Sequence, residues 1–112
     1  MIPMSCDTMV ALGTATRNGQ TLFAKNSDRP ASECQPLVQY PRQEHAASAA
    51  LQCQFVSMSQ VGTTYRHVGS RPYWCWGYEH GFNEYQVVIG NEALPSRMEE
   101  ARQGRLVGME VL

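Results

Sequence analysis

The tetrapeptide Arg17-Asn18-Gly19-Gln20 restricts the fold of this chain more than any other segment. An Asn-Gly pair readily adopts the positive φ angles of a tight turn between two strands. The residues on either side of it, 8–12 and 21–24, are rich in side chains that favour β-structure. The sequence therefore predicts an antiparallel hairpin in the first third of the chain.

The middle of the chain also favours strands. Residues 37–40 lie between two prolines, which exclude a helix there and favour an edge or crossover strand. Residues 54–57 and 63–68 alternate apolar and polar side chains, which predicts a second strand pair. For residues 44–51, which include four alanines, a short helical turn and a loop are equally compatible with the composition.

The last third predicts one buried strand followed by a helix. The apolar run at residues 87–90 is typical of a strand that is buried on both faces. Apolar residues recur at helix-like spacing over residues 106–112, so we expect a C-terminal helix within which the sequence stops. The predicted fold class is α+β, with mainly antiparallel strands first and a helix last. No repeat or linker divides the chain, so residues 6–112 are expected to form one domain.

Composition excludes several classes of function. Of the nine basic residues of the 112, only Lys25 is a lysine, and the arginines form no basic run, so nucleic acid is not an expected partner. No apolar stretch approaches the roughly 18 to 20 residues of a membrane span, and residues 1–5 do not resemble a signal peptide. We therefore expect a cytoplasmic protein without a membrane partner.

The four cysteines form no C-x-x-C pair and have no clustered histidines beside them. They are therefore expected to be free thiols in a reducing compartment, with neither a structural metal nor another cofactor.

Cys6 is the residue best suited to catalysis, because it opens the first predicted strand. If residues 1–5 are a removable leader, the thiol and the new α-amino group lie on one residue. That residue then supplies both a nucleophile and a base. No histidine is required as the base, and none of His45, His67 and His80 lies in a recognisable nucleophile motif. The alternative is that Cys6 is a small buried hydrophobic residue.

The predicted hairpin returns residues 25–28 to the side of Cys6. A cation at Lys25 would favour the thiolate, and a carboxylate at Asp28 could hold the α-ammonium group. A turn made by Asp28 and a solvated lysine would explain the same residues equally well. Asn91 follows the strand predicted at residues 87–90, where its side-chain amide could donate to an oxyanion.

Two further features of the last third concern a substrate pocket and a turn. Trp74 and Trp76 belong to an aromatic cluster that could form core or line a substrate pocket. Asn83 is expected to cap a turn.

Four segments, in this order and spacing, together resemble the beginning of the secernin and C69-type dipeptidase group of N-terminal nucleophile hydrolases. The matching segments are Cys6-Asp7-Thr8-Met9-Val10-Ala11-Leu12, Phe23-Ala24-Lys25-Asn26-Ser27-Asp28-Arg29-Pro30, Gln35-Pro36-Leu37-Val38, and Asn83-Glu84 with Val88-Ile89-Gly90-Asn91-Glu92-Ala93. Gln86 departs from the pattern, which has glycine there, so the turn before Val87 is expected to need a different backbone conformation.

The resemblance implies the N-terminal portion of an αββα sandwich. It also implies that Cys6 is the nucleophile, exposed by removal of a short leader, and that its own amine is the base. Lys25 stands where related enzymes carry arginine, Asp28 stands where they carry aspartate, and Asn91 becomes the candidate oxyanion donor. The implied substrate is a small peptide or amide, with no cofactor, and the resemblance is compatible with a homo-oligomer.

Two other functions are compatible with the same residues. A secernin-like protein could keep the fold and act as a binding or regulatory partner with little hydrolysis. Cys6 could alternatively be a redox-sensitive thiol, which would react faster than the other three cysteines without any amidase activity.

Overall fold

The computed structural model describes residues 6–94, 97 and 105–112, and this part of the chain is built almost entirely of short antiparallel strands. The proposed leader, residues 1–5, lies outside the described residues. The strands are β1 Cys6–Ala11, β2 Leu22–Ser27, β3 Leu37–Tyr40, β4 Gln43–Glu44, β5 Ala50–Gln52, β6 Ser57–Ser59, β7 Thr63–Thr64, β8 His67–Ser70, β9 His80–Asn83 and β10 Val88–Gly90.

These strands form four small sheets. β1 and β2 make a hairpin, and β10, β9, β8 and β3 make a four-stranded antiparallel sheet in that order. β4 pairs with β7, and β5 pairs with β6. The expected α+β class and αββα sandwich are therefore wrong for the described part of the chain. Among the described residues, no helix has the length and hydropathy needed to cross a membrane.

The predicted C-terminal helix is also wrong. Val107 is extended, with φ −82° and ψ 157°, and only a 3₁₀ turn at Gly108–Val111 follows it. The Glu110 carboxylate accepts hydrogen bonds from the backbone N–H of Val107 at 2.8 Å and from that of Gln54. Apolar spacing misleads here because a segment of seven residues containing a glycine is too short to sustain a helix by itself.

The predicted hairpin is confirmed, with longer strands and a longer loop than expected. The register pairs Cys6 with Ser27 and Thr8 with Lys25. The loop between the strands begins with a 3₁₀ turn at Gly13–Ala15. Later in the loop, Gly19 has a positive φ of 74°. The Asn-Gly pair therefore contributes to the reversal without forming the whole of it.

The strand predicted at residues 37–40 is confirmed as β3, on the edge of the four-stranded sheet. The pairing predicted between residues 54–57 and 63–68 is wrong, because β6 pairs with β5, while β7 and β8 pair with other strands. A tight turn, in which Cys53 N donates to Val56 O at 2.9 Å, joins β5 to β6. Such local pairing costs less loop-closure entropy than the more distant pairing predicted from the alternation.

The segment 44–51, for which a helical turn and a loop both seemed compatible, contains parts of β4 and β5. A turn joins them, in which Ala49 N donates to Ala46 O at 2.9 Å.

β10 is shorter and more exposed than the apolar run predicts. Val88 and Ile89 are 45% and 44% exposed, because β10 is an edge strand rather than a strand buried on both faces.

Asn83 caps the turn between β9 and β10, as predicted. Its side-chain oxygen accepts hydrogen bonds from Tyr85 N at 2.9 Å and Val87 N at 3.2 Å. Gln86 has a φ of 64°, in the left-handed region that favours glycine. The turn therefore adopts a glycine-like backbone although a glutamine stands there.

Gly90 lets the hairpin pack closely against the end of β10. A Cβ atom on Gly90 would lie 2.6 Å from Phe23 Cζ and 3.3 Å from Lys25 Cδ. Phe23 also lies beside His80, with their ring centroids 6.4 Å apart. A side chain at position 90 would force the Phe23 ring, and to a lesser extent the Lys25 side chain, to move.

We expect Gly90→Ala to lower the free energy of unfolding by about 1–3 kcal/mol, the usual cost of overpacking. Urea denaturation followed by circular dichroism measures this change. Gly62→Ala is the matched control, because a Cβ atom there meets nothing within 4 Å. Equal stability of the two variants would show that the hairpin does not depend on this contact.

Candidate functional site

The hairpin places Cys6 and Lys25 on one face. Residues directly opposite each other in an antiparallel pair share a face, and alternate residues along a strand share it too. Cys6 faces Ser27 in the register, and Lys25 lies two residues before Ser27 on β2. The side chains on this face of β2, those of Phe23, Lys25 and Ser27, are all partly or fully covered.

Lys25 is not a solvated lysine. Its side chain has no exposed surface, and its Nζ lies 3.6 Å from Glu79 Oε2. The Glu79 side chain is itself only 3% exposed. Because an isolated charge is costly to bury, each of these two groups depends on the other.

Glu79 joins residues that are far apart in the sequence. Its Oε1 lies 3.6 Å from Arg29 Nη1. With its side-chain amide oriented so that the nitrogen faces this carboxylate, Asn91 donates to Glu79 Oε2 at 2.7 Å, and the Asn91 backbone N–H donates to Glu79 O at 3.1 Å. The last contact extends the β9–β10 pairing by one residue beyond Gly90. We call Lys25, Arg29, Glu79 and Asn91 the Glu79 cluster.

Arg29 connects the Glu79 cluster to Cys6. Its guanidinium forms a bidentate pair with Glu33, at 2.7 and 3.0 Å, and lies over the Trp74 ring at 5.5 Å. The hydrogen bond that Arg29 donates to Glu33 is the main cause of the raised pKa of Arg29, and the charges of Glu33 and Glu79 add to it, with a smaller contribution from Cys6. The same hydrogen bond lowers the pKa of Glu33. Arg29 is thus within electrostatic range of Cys6.

His80 is a neutral neighbour of this cluster at neutral pH. Burial, and next the charge of Lys25, lower its pKa below the ordinary value, while Glu79 opposes the shift. His80 Nδ1 is buried and makes no hydrogen bond to the described residues, and the same holds for Lys25 Nζ, Ser27 Oγ and Glu92 Oε1. Buried polar atoms are seldom left unpaired, so Lys25, Ser27 and His80 keep hydrogen-bonding capacity on the covered side of the hairpin.

The structure brings together three of the four predicted site residues. Lys25 and Asn91 both contact Glu79, and Cys6 shares the hairpin face with Lys25. Asp28 follows β2 on the exposed surface, where its Oδ1 accepts a hydrogen bond from Asn26 Nδ2 at 3.0 Å. The roles predicted for these residues are proposals, and none of the contacts tests them.

Sequence reasoning missed Glu79 and gave Arg29 no role. Glu79 stands between Tyr78 and His80 in the aromatic segment, without a motif around it. One usable signal was the single lysine, which needs a carboxylate partner if β2 is covered on that face. Only the tertiary pairing of β8, β9 and β10 shows which carboxylate it is.

The two tryptophans that could have formed core are 44% (Trp74) and 40% (Trp76) exposed, and they lie in different places. Trp74 contacts Arg29, and Trp76 lines a cavity elsewhere in the molecule. All four cysteines are free thiols, as predicted.

Comparison with known proteins does not assign a family to this chain. No protein-family model matches it, and no solved structure gives a significant match. The functional interpretation therefore depends on the geometry around Cys6 and on the four segments that resemble the secernin and C69-type group.

Proposed function

We propose that this chain carries the nucleophile of a cytoplasmic cysteine hydrolase that cleaves small peptides or related amides. The observation that carries the proposal is the position of Cys6 on the same hairpin face as buried Lys25, within electrostatic range of Arg29. A thiol beside fixed positive charge is the environment in which cysteine nucleophiles operate. Four free thiols support a reducing compartment.

The proposed reaction begins when residues 1–5 are removed and the α-amine of Cys6 becomes free. The amine takes the thiol proton, and the sulfur attacks the carbonyl carbon of the amide. The C–N bond breaks, the leaving amine takes that proton, and a thioester remains on Cys6. Water then hydrolyses the thioester, which releases the acid and restores the thiol.

The remaining site residues have supporting roles in this proposal. Asp28, directly after the residue that pairs with Cys6, would hold the ammonium form of the freed amine. Lys25 and Arg29, although each is paired with a carboxylate, would be the cations nearest the developing anion. Asn91 would donate to the oxyanion, which requires its amide to turn from Glu79 towards the substrate.

We expect the intact mass of the purified protein to correspond to a chain that begins at Cys6. A dipeptide chloromethyl ketone should then alkylate each protein molecule once, so that the intact mass rises by one peptidyl ketone group. Peptide mapping should locate this group on Cys6. The exposed thiol of Cys34 is the internal control, and it should remain unmodified at the same reagent concentration. Active protein that keeps residues 1–5 would overturn the role of the α-amine.

A non-catalytic binding or regulatory role is the second candidate. The observation that favours it is the engagement of both Lys25 and Asn91 with Glu79, which occupies two groups that the hydrolase would use. Protein with a free Cys6 amine that hydrolyses no member of a dipeptide panel would support this role over the enzyme.

A further inference from the structure

A cavity of about 400 Å³ lies apart from the Glu79 cluster. This volume falls within the range of small-molecule sites. Tyr78 lines the cavity, while the next residue, Glu79, contacts Lys25. The residues of the Glu79 cluster and Cys6 are not among those that line it. The lining side chains used below are Tyr40, His67, Arg71, Trp76, Tyr78 and Glu110.

Arg71 is the fixed cation of this cavity. Its Nε donates to Cys75 O at 3.0 Å, and its Nη1 donates to Tyr40 Oη at 3.1 Å. The guanidinium lies over the Trp76 ring at 5.3 Å. These contacts hold the planar fork in one place, and such a fork matches the two oxygens of a carboxylate.

Two phenols beside Arg71 add neutral donors. Burial, and next the neighbouring phenol of Tyr40, raise the pKa of Tyr78 to about 12, so its hydroxyl keeps its proton at neutral pH. The His67 ring stacks on Tyr40 at 5.4 Å and meets the edge of Tyr78 at 5.6 Å. The Tyr78 ring lies directly on Gly69, where a Cβ atom would be 2.3 Å from Tyr78 Cδ1. Both hydroxyls are therefore held on rigid rings.

The part of the cavity wall at Arg71 suits an anion. Arg71 forms no ion pair within the described residues. Glu110 also lines the cavity, and its carboxylate already accepts hydrogen bonds from the backbone N–H groups of Val107 and Gln54. No carboxylate of the described residues therefore lies within ion-pair distance of the Arg71 guanidinium, which stands among aromatic walls and favours a flat ligand with one carboxylate.

We propose that this cavity binds a small aromatic monocarboxylate. Its carboxylate lies against Arg71 and the hydroxyls of Tyr40 and Tyr78, and its ring packs within the aromatic walls that include Trp76. The site is independent of Cys6, so it can exist whether or not the chain is a hydrolase.

Phenylacetate and phenylacetamide provide the test, because they differ little in shape but only the first is charged. Isothermal titration of the whole chain should show phenylacetate binding at least tenfold more tightly than phenylacetamide. Arg71→Gln should remove that difference. Arg42→Gln should keep it, because Arg42 also lies over tyrosine rings but outside the cavity.

Two further variants make the outcome decisive. Tyr78→Phe removes only the hydroxyl and should weaken phenylacetate severalfold, which tests the site even if Arg71→Gln does not fold. Cys6→Ala should bind phenylacetate as the unaltered chain does, so failure of this proposal and failure of the hydrolase can be told apart. Equal affinity for the acid and the amide, or no binding of either, would overturn the proposed site.

Discussion

Cys6→Ala is expected to reduce the turnover of dipeptide substrates by about a thousandfold or more, the scale on which loss of a covalent nucleophile acts. The alanine removes the sulfur that would form the proposed acyl-enzyme, and it needs no change in the backbone of β1. Release of free amino acids, measured with the processed protein under single-turnover and steady-state conditions, tests this expectation.

The matched control is Cys34→Ala, which removes an exposed thiol from outside the hairpin. It should leave turnover unchanged, and both variants should unfold at the same urea concentration as the original chain. If Cys6→Ala keeps full turnover while it folds normally, the nucleophile lies elsewhere and the proposed mechanism is wrong.

The local parts of this structure could be predicted because their causes lie within short segments. The hairpin follows from a turn signal between two strand-forming runs, and β3 follows from its flanking prolines. The register then brings residues 25–28 beside Cys6 without further information. The prediction for the C-terminal segment was wrong because apolar spacing gives no information about Glu110. The Glu110 carboxylate accepts a hydrogen bond from the backbone N–H of Val107, which is extended.

The Glu79 cluster could not be predicted because its members meet through tertiary structure. Asn91 reaches Glu79 only because β10 pairs with β9 in one particular register. Lys25 reaches it because the hairpin packs closely against the sheet at Gly90. The sequence contains ten acidic residues, and no local pattern indicates which of them pairs with the buried Lys25.

Glu79→Leu is expected to cost about 3–5 kcal/mol of unfolding free energy, the scale on which removing one partner of a buried ion pair acts. Arg29 keeps its bidentate partner Glu33, whereas Lys25 loses its ion pair and the Asn91 amide loses its hydrogen-bond acceptor. Urea denaturation at neutral pH measures the change. Glu84→Leu is the matched control, because the pair of Glu84 with Arg42 lies on the surface and should contribute much less.

A double variant separates the two contributions to this loss. Lys25→Met combined with Glu79→Leu replaces the buried pair by apolar side chains, so it should be more stable than Glu79→Leu alone. Recovery in the double variant identifies the unpaired ammonium of Lys25 as the source of the instability. If the double variant is no more stable than the single one, the hydrogen bonds between Glu79 and Asn91 carry the stabilisation, and the ion pair with Lys25 contributes little.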